Sequence, residues 1–421
     1  MTIFSEKEIT RLKEAASLLL EAEKTLPVLK TLAWDRSHAD SFFASGETIP
    51  PTPTYSKIDT QVCDEQVSAA RALIDGSSPV HNWLTRFADV TERTAEMLGA
   101  VGTADFYRHS KELYGSPSTP IADGKRTALD LALHLDEILS EFDGAAVQLD
   151  PSEKLTADDL KVALEQELPK YFGEHVPDVE VTDKVSAKAA AGSDYIKLRS
   201  DAMFSDLDVG QLLQHEALIH IATGFNGRAQ PHFPILGESH AGNARTQEGL
   251  AVFSEFISGH LDPNRLKRLA DRAIAIDMSA QGADFIELYR FFKEKDAHHN
   301  PIEAFESARR VVRGGLVNGG GPFTKDSVYL SGLVDVHHYL RTAIRAGDTK
   351  LIRLLFVGKV DLKDLEAMEL LLSQNLITMP QLMPPWATDL RYTLSYLAYS
   401  TFLNGINAEK IAPQHKAWLS Q

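Results

Sequence analysis

One stretch limits the fold of this chain more than any other: SDLDVGQLLQHEALIHIATG, residues 205–224. Ser205, followed three residues later by Asp208, reads as a helix capping box. The apolar positions beyond it continue at helical spacing. Inside that helix stand His215, Glu216 and His220. Zinc peptidases commonly carry His-Glu-x-x-His, which sets two histidines one α-turn apart on one face. Residues 215 and 220 are instead five apart, about 140° round a regular α-helix. Either they are ordinary helix residues with Glu216 solvated, or a π-bulge between Glu216 and His220 returns both rings to one side. Such bulges recur at functional sites.

The remaining chain is mostly of helical periodicity, as over residues 5–24 (with Ser5 and Glu8 as a further capping box) and 125–143. The Pro- and Thr-rich run GETIPPTPTYSKI, 46–58, reads as a loop. Strand signals cluster just before the histidines, in VEVTD (179–183) and DYIKLRS (194–200). The expected fold class is therefore α+β, mostly α-helical, with a small sheet beside the histidine-bearing helix. A helical N-terminal lobe over 1–150 and a catalytic region over 151–421 would form one two-lobed unit.

Composition excludes some functions. A formal net charge of −16 repels polyanions, so nucleic acid is not an expected partner. No apolar run approaches the ~20 residues of a membrane span. The N-terminus lacks a basic-then-apolar leader, and the single cysteine, Cys63, cannot form an internal disulfide. A cytoplasmic location is the expectation. The sequence sets no oligomeric state.

A zinc peptidase needs three protein ligands, an open position for water, and a carboxylate beside that water. His215 and His220 are candidate ligands, and Glu216 is the candidate base. RTQEGLAVFSEF (245–256) offers the third ligand in Glu248, a lone carboxylate in an apolar-periodic segment; taken alone it also reads as a surface glutamate. Other histidines compete poorly. His298–His299 and His337–His338 are adjacent pairs, whose side chains point to different helix faces.

HEALIH together with FNGRAQP (225–231), TQEGLA (246–251), LYGSP (113–117), RRVVRGG (309–315) and FTKDSVYLSG (323–332) resembles the microtubule-associated tyrosine carboxypeptidase family. Its bacterial members are known as QEGLA-motif proteins and were linked by name to flavohaemoglobin expression. The resemblance runs from about residue 30 to 400. It implies zinc on His215, His220 and Glu248, with Glu216 catalytic and a zincin-like fold; the longer histidine spacing is the family's own. The Glu-Gly-Leu-Ala word is also similar to the third-ligand segment of zinc aminopeptidases, which implies a gluzincin. The implied reaction is removal of a C-terminal aromatic residue from a peptide or protein. The acidic surface departs from what an acidic, tubulin-like tail would require.

Around such a centre, Tyr329 and Lys325 are candidate donors to the developing oxyanion. Arg313, then Arg228, are candidates to clamp a terminal carboxylate. The strand from Tyr195 to Leu198 is a candidate to pair with an extended substrate. Two other readings use the same residues: an endopeptidase or aminopeptidase, and a non-catalytic regulator. An intact Glu216 speaks against the regulator.

Overall fold

The computed structural model describes residues 4–121, 123–140, 154–185, 187–295 and 300–403. The chain opens with helices whose ends are capped by side chains. In α1 (Glu6–Lys24), the Ser5 hydroxyl accepts from the Glu8 amide, and Leu12, Ala15, Ala16, Leu19 and Ala22 form the buried stripe. There follow α2 (Ser37–Ala44), α3 (Gln61–Leu73), α4 (Pro79–Gly99), α5 (Ala104–Tyr114) and α6 (Ala128–Ser140). The last matches the periodic run expected over 125–143, whose final residues lie outside the described ones. Residues 50–60, within and just beyond the expected loop, are irregular. That segment is held where the Tyr55 hydroxyl accepts from Trp34 Nε1 (2.7 Å) and from the Gly314 amide (2.8 Å).

After α7 (Ala157–Glu167) comes the sheet: β1 (Asp178–Thr182), β2 (Ala189–Ala191) and β3 (Tyr195–Arg199). The outer two in sequence are the expected runs. The Ala-Ala-Ala strand between them has no β-branched or aromatic residue for propensity to register. The strand order is β1-β3-β2, with β1 parallel and β2 antiparallel to β3. So β3 is paired on both sides, and the expectation that Tyr195–Leu198 accepts a substrate strand is corrected: the edge beside the site is β2.

From the sheet the chain enters α8 (Asp206–Leu212), started by the expected Ser205–Asp208 capping box, and continues as a π-helix over Leu213–Ile221 and α9 (Ala222–Arg228). The remaining long helices are α10 (Ala241–Ile257), α11 (Pro263–Ala280), α12 (Phe285–Lys295), α13 (Pro301–Val312), α14 (Val328–Ala346), α15 (Leu365–Ser373) and α16 (Arg391–Leu403).

Buried apolar side chains gather in three clusters. The largest runs from Phe4 to Leu397 and joins α1, α3, α4 and α5 to α10 and α14, so the segments on either side of residue 150 share it. A second packs α7 and the sheet against the π-helix. The third is aromatic, around Phe42, Phe285, Tyr289 and Phe305. No helix among the described residues is long and apolar enough to cross a membrane.

Candidate active site

The π-helix resolves the spacing of the two histidines. Its i→i−5 bonding is visible at its end, where the Ala222 amide donates to the Ala217 carbonyl. In that register residues five apart lie one above the other. The His215 and His220 rings accordingly meet at 4.9 Å between centroids, nearly perpendicular. The sequence predicts a single bulge; nine residues adopt the π form. Buried polar side chains tie this irregular segment to α10. Trp386 Nε1 donates to Ser254 Oγ (2.9 Å), which donates to Gln214 Oε1 (3.0 Å).

Helix α10 carries Glu248 and, two turns later on the same face, Glu255. Its approach to α14 is set by two glycines. A Cβ on Gly249 would lie 2.1 Å from the Gly332 carbonyl carbon, and one on Gly332 would lie 2.0 Å from the Arg245 oxygen. With no side chain at either position the helices close up. Glu248, one residue before Gly249, is thereby brought beside Tyr329, at the start of α14, and Lys325, in the 3₁₀ turn just before it.

Glu248 Oε2 lies 3.3 Å from His215 Nε2 and 3.5 Å from His220 Nε2. The three ligand atoms fall within 4.8 Å of one another. Yet among the described residues Glu248 Oε2 is buried without a hydrogen-bond donor. The three atoms face one point rather than bonding each other. Two tetrahedral ligands, each ~2.0–2.1 Å from a zinc ion, stand about 3.3 Å apart. The donor set and its spacing therefore fit that ion.

A second layer fixes the first. His215 Nδ1 donates to Glu255 Oε1 at 2.5 Å, which leaves Nε2 to act as a ligand. Glu255, fully buried, also accepts from Arg265 Nε and Nη2, both at 3.0 Å. Arg265 is placed by the first turn of α11, where Asp262 caps the Asn264 and Arg265 amides. Burial alone would raise the Glu255 carboxyl, but Arg265 and His215 outweigh it and hold it at about 2. Burial would likewise lower His215, and the carboxylates of Glu248, Glu255 and Glu216 raise it instead. Neither Glu255 nor Arg265 was singled out from the sequence. The available signal was the seven-residue spacing from Glu248, which puts a second acid on the ligand face of α10.

The other expected residues occupy distinct positions. Glu216 Oε2 accepts from the Ala191 amide of β2 at 3.2 Å. The Tyr329 ring lies stacked against His215 at 6.4 Å and is nearly buried; among the described residues its hydroxyl has no hydrogen-bond partner. Burial, and then the charge of Glu248, raise its phenol above the ordinary value, so it remains a donor at neutral pH. Lys325 Nζ sits 3.4 Å from Glu248 Oε1, the oxygen turned away from the histidines. Arg313 has a buried, unpartnered Nε and stacks on Phe323 at 5.6 Å, with no carboxylate partner among the described residues. Its neighbour Arg310 is bound by both oxygens of Asp326 (2.8 and 3.0 Å), which also draws in Arg272 at 3.9 Å. Arg228 Nη2 donates to the Ser193 carbonyl in the β2–β3 turn (2.7 Å). Tyr195 lies in that hairpin, where Lys197 Nζ is 4.6 Å from its ring centre. His337 packs against Phe253 and Tyr396 rather than in the cleft, and His298–His299 lie outside the described residues. Cys63 is buried, its thiol pushed up to about 11 by burial.

Residues 40–405 match the model of a protein family described as microtubule-associated tyrosine carboxypeptidase. Comparison with curated proteins gives no match.

Proposed function

Since the chain belongs to the microtubule-associated tyrosine carboxypeptidase family, we propose that its histidine–glutamate cleft is a zinc carboxypeptidase site of zincin-like, gluzincin type, and that it removes a C-terminal aromatic residue from a peptide or protein. The observation that carries this reading is the convergence of Glu248 Oε2 on His215 Nε2 and His220 Nε2 without a hydrogen bond to satisfy it. Those three residues would hold the ion. The chemistry a bound zinc supplies is Lewis-acid polarisation of the scissile carbonyl and acidification of the attacking water.

The chain's own residues do the rest. Glu216, next in sequence to a ligand, takes the proton of the attacking water and passes it to the leaving amine. Tyr329, its hydroxyl without a partner among the described residues, donates to the oxygen on which charge develops. Arg313 meets the terminal carboxylate; its buried, unpartnered Nε, with no acidic partner among the described residues, supports that role. Burial and the adjacent Arg310 lower its pKa only to about 10, so it is charged at neutral pH.

Mass spectrometry of zinc-loaded protein incubated with a peptide ending in free tyrosine, and with its C-terminal amide, tests this. Tyrosine should be released from the free acid, and amidation should cost about 2–4 kcal/mol of transition-state stabilisation. Equal cleavage of both would replace the carboxypeptidase reading with an endopeptidase. Glu216→Gln should keep the ion and lose turnover.

A further inference from the structure

We propose that Glu216 caps the open edge of β2 in the free protein, occupying the outward N–H of Ala191 that an incoming peptide strand would take; this rests on the carboxypeptidase reading. The hydrogen bonds Gly192 N–H to Tyr195 O and Arg199 N–H to Lys188 O, both 2.8 Å, mark 192–195 and 188–199 as bonded pairs of the hairpin. In an antiparallel ladder bonded and non-bonded pairs alternate. Ala190 opposite Lys197 is then bonded as well, while Ala189 and Ala191 turn their N–H and C=O groups away from β3. Among the described residues no further strand pairs with that edge. The group that meets it is the carboxylate of Glu216, whose Oε2 accepts the Ala191 N–H at 3.2 Å.

A carboxylate oxygen thus stands where the carbonyl of an added strand would stand. Two outcomes follow from that position. The edge beside the cleft is not left as a bare template for pairing with another chain. And a peptide that docks along β2 exchanges one hydrogen bond for another, turning Glu216 Oε2 loose toward the scissile bond as the substrate arrives. Docking and release of the base become one event, coupled through the Ala191 amide.

The test compares zinc-loaded Glu216→Gln with Glu216→Ala, neither of which should turn over. Glutamine keeps an acceptor oxygen for the Ala191 amide; alanine removes it. A fluorescein-labelled decapeptide ending in free tyrosine should bind Glu216→Ala about two- to tenfold more tightly, the worth of one neutral hydrogen bond. Hydrogen exchange followed by NMR should show the Ala191 amide protected in the free wild type, exposed in free Glu216→Ala, and protected again with peptide bound. Equal affinities, or an Ala191 amide that exchanges alike in wild type and Glu216→Ala, overturns the proposal. If neither variant binds the peptide, the carboxypeptidase reading itself falls, and the exchange of Ala191 still judges the contact with Glu216.

Discussion

Glu255→Gln should weaken zinc binding without touching a ligand. The native carboxylate is fully buried and takes three charge-assisted hydrogen bonds, one from His215 Nδ1 at 2.5 Å and two from Arg265 at 3.0 Å. Glutamine can still offer its oxygen to His215. Its NH₂ group, however, then faces the Arg265 Nε–H, donor against donor, and the guanidinium is left buried without a counter-charge. Breaking such a pair costs about 3–5 kcal/mol of stability. The acceptor that orients His215 also loses its charge, and outer-layer changes of this kind weaken metal affinity about 10–100-fold, ~1.4–2.7 kcal/mol. Because stability and affinity fall together in the single variant, the assay needs a second one. Glu255→Leu combined with Arg265→Met removes both charges, and should recover most of the stability. It should bind zinc at least as weakly as Glu255→Gln, since nothing then orients His215. Thermal unfolding in chelator gives the first quantity, and competition against a fluorescent zinc chelator the second. Wild-type affinity in either variant would refute the reasoning.

Three further outcomes are expected. Lys325→Met should lower zinc affinity about tenfold, through loss of the 3.4 Å contact to Glu248, while saturating zinc restores kcat; a hundredfold kcat loss at saturating zinc would make Lys325 an oxyanion donor instead. Gly249→Ala should cost about 2–3 kcal/mol in thermal unfolding, because the new Cβ meets Gly332 backbone, which cannot rotate aside as a side chain would; an unchanged Tm would contradict the close helix crossing. Burial, opposed by a hydrogen bond from Thr91 and aided by Glu238, raises the Glu23 carboxyl from 4.5 to about 7. The folded state then holds more protons than the unfolded one between those pH values, so stability falls as pH rises through that window and stays reduced above it. Glu23→Gln should accordingly stabilise the protein at pH 8, by at most about 3 kcal/mol, and leave it unchanged at pH 4; denaturant titrations at the two pH values check the sign.

The sequence already carried the local irregularity. Two histidines five apart beside a glutamate demand a π register if they are to act together, and the Ser205–Asp208 box marks where that helix starts. Glu248 was legible because a lone acid on an apolar helix face needs a reason. The failures share one cause: pairing is a property of two segments, and composition describes one at a time. β2 is three alanines, whose strand character comes only from β3 beside it. Without β2, the central strand looked like an edge. The bond between Glu255 and Arg265 joins α10 to α11, and no pattern within either helix announces it. Arg313 is legible in the sequence, but that no acid pairs with it among the described residues is set by the fold.

The two walls of the cleft belong to different cores. Glu248 and Tyr329 ride on α10 and α14, locked backbone to backbone at Gly249 and Gly332 within the largest cluster. Ala191 and the π-helix's apolar residues Leu213, Ala217, Leu218 and Ile221 pack in or against the smaller cluster under the sheet. Only Ile219, from the same nine residues, belongs to the larger one. Local opening follows such units rather than whole chains. Local opening of this protein should therefore be lopsided, costing less on the wall that carries β2 than on the wall that carries Glu248 and the phenol.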